Sequence, residues 1–262
     1  KMYKVYIVLT DEIIRNLTKK AEGFSPPSPS SQGWDRGGGD LSSDETVTPF
    51  MMENDSIDLL LKIKDKVVFS LPVIMRDNGC GFETYAYFKK AVQALLAQNF
   101  RQFQISNLGA MGLFEGEYVL LYADYPLYCL NPLSAMKLRE WGFTRYTVSP
   151  EDDKENLRTL FSEDADVIVY QDIPLFTSET CVWAHMKRRC PGMNQCSFKQ
   201  LMVENEYGDR FMAMNDRCKT VVVGERPFSI IQHIPKLLDA GQGDFRVDLC
   251  YRDYTPEMIE DI

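Results

Sequence analysis

The stretch Val67-Val68-Phe69-Ser70-Leu71-Pro72-Val73-Ile74-Met75 decides the reading of this chain. It is a near-continuous apolar run, the pattern of a strand buried on both faces, as in a parallel sheet covered by helices. The residues C-terminal to it fit that arrangement. Residues 84–99 carry Tyr87, Phe88, Val92, Leu95 and Leu96 at a 3.6-residue period, which predicts a helix. Phe103–Asn107 predicts the next strand, followed by Leu108-Gly109-Ala110, and Tyr118–Tyr125 another. Leu133–Trp141 reads as a short helix stopped by Gly142, and Thr144–Val148 as a strand. Pro150-Glu151-Asp152 opens a helix to Phe161, before a strand at Asp166–Tyr170.

Toward the N-terminus, residues 3–9 read as a first strand. Thr10 or Asp11 caps a helix with Ile13, Ile14 and Leu17, and Ile57, Leu60, Leu61 and Ile63 suggest a further helix. Residues 23–49, with Gly23-Phe24-Ser25-Pro26-Pro27-Ser28-Pro29 and Gly37-Gly38-Gly39, are too poor in apolar surface for a core and read as a flexible insertion. Toward the C-terminus, Phe228–Ala240 predicts a last helix, Gly241 its stop, and Phe245–Cys250 a closing strand. Strands alternating with helices imply a parallel sheet with right-handed crossovers. With 262 residues, the expectation is one (β/α)8 TIM-like barrel domain over 1–262, incomplete as counted, with an open parallel sheet as the alternative. Seven strands are legible. An eighth, second in order, would have to lie near the insertion.

Residues 181–226 break the alternation. They hold four of the seven cysteines, Cys181, Cys190, Cys196 and Cys218, just before the last helix and strand. Thiolates are soft ligands that favour iron–sulfur clusters or zinc. Structural zinc usually takes paired C-x2-4-C knuckles, which are absent here. Four structural or free cysteines are the plain alternative. Cys80, Cys129 and Cys250 read as small buried residues.

The whole chain carries −9, but residues 181–226 hold eight Lys/Arg against five Asp/Glu, which leaves −12 for the remainder. A strongly acidic total does not invite nucleic acid, whereas the insert is locally basic. No stretch approaches the roughly 18 apolar residues of a membrane span. With no export signal and an odd number of cysteines, a reducing cytoplasmic setting is expected, and the abrupt start suggests a piece of a longer protein.

Three passages resemble peptidase family U32, the "collagenase-like" proteins. Ile105-Ser106-Asn107-Leu108-Gly109 is similar to that family's apolar-x-Asn-Leu-Gly strand end. Asp209-Arg210-Phe211 through Asp216-Arg217-Cys218-Lys219-Thr220 is similar to its Asp-Arg…Asp-x-x-Cys-Arg-Thr run. Phe245-Arg246-Val247-Asp248-Leu249 is similar to its closing Phe-Arg-Ile-Asp-Leu strand. Lys219 stands where Arg is usual, and Gly208 precedes Asp209-Arg210 rather than following it.

The resemblance implies a [4Fe-4S] cluster on Cys181, Cys190, Cys196 and Cys218. It implies oxygen-independent hydroxylation of a tRNA or rRNA base, or of a quinone precursor, with prephenate as oxygen source and in some members a related partner subunit. Its other implications are a collagenase-like protease and a non-catalytic cluster-bearing subunit.

The residues bear on these unequally. His-Glu-x-x-His and Gly-x-Ser-x-Gly are both missing; of the two histidines, His185 and His233, His185 lies four residues from Cys181 and offers a thiol–imidazole pair, a spacing that a helix puts on one face in any case. Each iron of a cubane takes one protein thiolate, so four cysteines close such a site. Barrel chemistry sits at strand ends, where Arg76 and Arg246 could clamp a carboxylate such as prephenate's, or simply pair with a neighbouring Asp. Trp183, Phe198 and Tyr207 interleave with basic residues as a single-stranded RNA site requires, or belong to the core.

Overall fold

A computed structural model describes residues 4–8, 60–75, 85–190, 192, 196–216 and 219–262. The predicted helix after Asp11, the insertion 23–49, Ile57, Arg76, Cys80 and Cys218 lie outside them. The chain divides into two compact units, Lys1–Ser149 and Pro150–Ile262.

The first unit is a parallel sheet. Its strands are β1 (Val5–Val8), β2 (Val67–Ser70), β3 (Gln102–Ile105), β4 (Leu120–Ala123) and β5 (Phe143–Thr147), side by side in chain order. Val5 pairs with Val67, Phe69 with Phe103, Gln102 with Leu120 and Leu121 with Phe143. Because β1 bonds β2 directly, no further strand intervenes between them, and the expected eighth strand, second in order, has no place there. Helix α1 (Tyr85–Ala97) follows β2 and turns Phe88, Ala91, Val92 and Leu95 inward. At about 1.5–3 kcal/mol for each fully buried large side chain, this face is the main anchor of the helix. Phe69 meets Phe100 edge-on at 5.0 Å, and Phe103 meets Phe114 at 4.8 Å. Helix α2 (Pro132–Glu140) starts where expected because Asn131 and Ser134 form a reciprocal capping box, with Pro132 at its first turn.

The second unit opens with α3 (Lys154–Leu160), capped by Asp153 Oδ1 on the amide of Asn156 at 2.9 Å. Next come β6 (Ala165–Gln171), β7 (Pro174–Ser178), α4 (Val182–Lys187), β8 (Gln200–Glu204), β9 (Arg210–Asp216), β10 (Lys219–Gly224) and β11 (Phe228–Ser229). Helix α5 (Ile234–Asp239), β12 (Phe245–Val247) and α6 (Pro256–Glu260) complete it. β12 runs parallel to β6, but β11 runs antiparallel to it. Strands β7, β10, β9 and β8 form a separate antiparallel sheet in that order.

The (β/α)8 barrel expected from the sequence is therefore not what the chain forms. The reason lies in connection length. Two residues separate β9 from β10 and five separate β8 from β9, and such links permit antiparallel pairing only, since a parallel crossover needs a dozen or more residues. The predicted helix over 228–240 is also shorter than expected. Pro235 sits in the first turn of α5, which confines it to a helix start, and the preceding residues pair with β6 instead. Among the described residues, no helix is long and apolar enough to cross a membrane.

Candidate functional site

The antiparallel sheet organises the cysteine-rich stretch. Its centre is dry: Met212 and Met214 of β9 pack on Val221 and Val223 of β10, with Tyr251 against them. The β8–β9 turn is closed by Asn205, whose Oδ1 accepts from the amides of Tyr207 and Asp209, both at 2.9 Å, while Gly208 adopts φ +86°. The Asp209-Arg210 pair thus belongs to a hairpin, and Arg210 forms a surface ion pair with Glu225 at 2.7 Å.

One end of this sheet holds the chain beside two of the predicted ligands, Cys181 and Cys196. Cys181 occupies the cap position of α4, but its sulfur caps no amide. The Thr220 hydroxyl holds the backbone on both sides of it, accepting from the amide of Val182 at 2.9 Å and donating to the carbonyl of Thr180 at 2.8 Å. Thr220 itself lies two residues beyond Cys218 in the chain and pairs with Ser178 of β7. Two residues past Cys181, Trp183 stacks on Phe198, which is two residues past Cys196. Asn215 then ties that segment to β9, its Nδ2 donating to the carbonyl of Phe198 at 2.9 Å and its amide to that of Lys199 at 2.8 Å. Cys190 is exposed beyond α4, whose last turn closes through Arg188 at φ +53°. Cys181, Cys190 and Cys196 are all free thiols. Among the described residues no group of three or more His, Cys, Asp or Glu side chains is gathered as a metal site, and Cys218 lies outside them.

The three aromatics singled out in the sequence separate. Tyr207 stands at the hairpin tip, 81% exposed. Trp183 has Phe198 on its ring and the Lys187 ammonium 4.8 Å from its centroid, so its partners come from within the chain. Lys219 is buried despite its charge. Of the remaining cysteines, Cys129 is buried as expected and Cys250 is exposed.

The strand-end residues are engaged with each other. Arg246 Nη2 meets Asp248 Oδ2 at 2.6 Å, with both side chains nearly closed to water. Asp172, just past β6 and 2% exposed, receives Arg252 Nε at 2.7 Å, the Arg252 Nη2 at 2.7 Å and the Tyr254 hydroxyl at 3.1 Å. Arg252 also donates to the carbonyl of Gly224 at 2.9 Å. Burial, a hydrogen bond with Tyr170 and the nearby Asp172 carboxylate hold the Tyr254 phenol well above its ordinary range. Tyr254 escaped the sequence reading, which had no local pattern by which to find it. Asn107 caps its turn, Oδ1 accepting from the amide of Gly109 at 2.8 Å, and its Nδ2 donates to the carbonyl of Val73 at 3.0 Å. No family model matches this chain, and neither a curated protein nor a solved structure does.

Proposed function

We propose that the chain binds a [4Fe-4S] cluster through Cys181, Cys190, Cys196 and Cys218 and serves in oxygen-independent hydroxylation of an RNA base, with prephenate as the oxygen donor. The observation that carries this reading is the grip of Thr220 on the backbone flanking Cys181. That grip belongs to a residue two positions from Cys218, and the Trp183–Phe198 stack couples the flank of Cys181 to that of Cys196. The donor set suits the group: soft thiols, free, with no disulfide among Cys181, Cys190 and Cys196. The cluster would supply electron transfer or Lewis acidity; the chain would supply the thiolates and, from Lys187, Arg188 and Arg189, positive charge near phosphate.

A second reading also has an observation in its favour. Asp172, Arg246, Asp248 and Arg252 are taken up in internal ion pairs, as in a cluster-bearing subunit whose partner contributes the reacting groups. Iron and acid-labile sulfide on anaerobically purified protein test the cluster: about four of each per chain, lost in Cys218→Ser, is the expected result. Protein free of iron sinks both readings. Hydroxylated RNA formed by the chain alone separates the first from the second.

A further inference from the structure

The antiparallel sheet β7-β10-β9-β8 has two edges, and they differ. An open edge offers a row of main-chain donors and acceptors to any strand able to pair with it, and chains usually blunt such rows with proline, bulges or lysine. β7 is blunted: Pro174 brings no amide proton, and the register with β10 slips between Val222 and Val223. β8 is not. Gln200–Glu204 holds no proline and keeps an unbroken register with β9, from Gln200 opposite Met214 to Glu204 opposite Arg210. Just beyond its two ends, the amide of Asn215 donates to the carbonyl of Lys199 at 2.8 Å, and that of Asn205 to the carbonyl of Asp209 at 3.0 Å. Lys199, Leu201, Val203 and Asn205 therefore turn their main chain toward β9, and the alternation of an antiparallel ladder turns that of Gln200, Met202 and Glu204 outward. Among the described residues no strand pairs with this outer side.

We propose that β8 is a homodimer interface, pairing antiparallel with β8 of a second copy about a two-fold axis at Met202. The strand is self-complementary in that register. The axis sets Met202 opposite its own copy, Gln200 opposite the partner's Glu204, and Leu201 opposite the partner's Val203. Outward-turned residues thus meet outward-turned residues, so each free amide finds a carbonyl, and no carboxylate stands opposite another. One step further along, exposed Lys199 approaches the partner's hairpin tip, which carries the exposed acids Glu206 and Asp209. This match of charge is what favours a second copy over a foreign strand, which the main chain alone would accept equally well. Met202 is 44% exposed and lies on the same sheet face as Met212, which it pairs with and which packs against Met214, Val221 and Val223. Pairing at β8 prolongs that dry cluster across the axis. The assembly closes at two copies, because the edges it leaves open are the blunted β7 strands.

The interface does not rest on the cluster, and its test needs no iron. Sedimentation equilibrium of the full chain, from micromolar to submillimolar concentration, should show a reversible monomer–dimer equilibrium. Met202→Pro removes an outward N–H at an edge position, where proline is tolerated, and should leave only monomer. Gln200→Glu sets carboxylates opposite one another on both sides of the axis and should weaken the dimer by roughly 2- to 30-fold, whereas Gln200→Lys should tighten it by a similar factor. Hydrogen exchange should slow at the amides of Gln200, Met202 and Glu204 as concentration rises, and not along β7. A chain that stays monomeric throughout overturns the proposal. So does a dimer that Met202→Pro leaves intact, or one that Gln200→Glu and Gln200→Lys shift in the same direction. A monomer whose β8 amides are already protected overturns it too, since the edge is then covered from within the chain. If Met202→Pro does not fold by circular dichroism, the two Gln200 variants, which leave the ladder to β9 unchanged, decide alone.

Discussion

The indole of Trp183 lies against the ring of Phe198 with centroids 5.5 Å apart and planes 4° from parallel. Each ring follows a cysteine by two residues, so the stack fixes the spacing of two chain segments that share no strand pairing. It is a packing device placed beside candidate ligands.

Phe198 is 6% exposed, so truncation removes both core area and the stack. Phe198→Ala should destabilise by about 3–5 kcal/mol, whereas Phe198→Leu should cost less than about 1.5 kcal/mol. Urea denaturation followed by tryptophan fluorescence measures both. Equal effects would mean that retained volume does not help and that the ring stack itself carries the contribution.

The Thr220 side chain bonds the backbone on both sides of Cys181. Thr220→Val keeps the shape but removes both bonds, at about 1–3 kcal/mol for backbone groups left without partners. Thr220→Ser should restore them. If the cluster reading holds, anaerobic Thr220→Val retains less iron per chain than either the wild type or the serine variant.

Asp172 neutralises a largely buried Arg252. Asp172→Asn leaves that guanidinium without its counter-charge and should cost about 3–5 kcal/mol. Chemical denaturation tests this, and a loss under about 1 kcal/mol would show that water reaches the pair.

The Tyr254 phenol is held above its ordinary value of 10.0, chiefly by burial. Above that value an unfolded chain releases this proton while the folded chain keeps it, so the folded state binds more protons and stability falls with rising pH. The contribution is complete below pH 10 and is lost as the pH climbs toward the folded value. Comparing wild type with Tyr254→Phe between pH 8 and 11 isolates it from the other tyrosines. The variant should show the shallower decline.

Local signals in the sequence determined much of the first unit. The apolar run at Val67, the helical period from Tyr87 to Leu96 and the stretch Leu133–Trp141 each express a preference within a few residues, and each produced its element, although the strand stops at Ser70 rather than Met75. The cysteine-rich stretch 181–226 stood apart from the strand–helix alternation around it. The hairpins within the stretch were legible in principle. Leu201 and Val203, then Phe211 and Ala213, alternate around Asn205 and Gly208, but the cysteine spacing drew the reading toward a loop-like insert.

The rest comes from contacts between distant parts of the chain. Whether a strand pairs parallel or antiparallel depends on partners far along it: Val5 meets Val67, and Phe228 meets Gln171. Asp172 finds Arg252 eighty residues away, and among the described residues the Gln104 amide has no hydrogen-bond partner between its neighbouring strands. Pairing of this kind is set by the closure of long loops and by which groups are buried together, and no window of sequence carries that information.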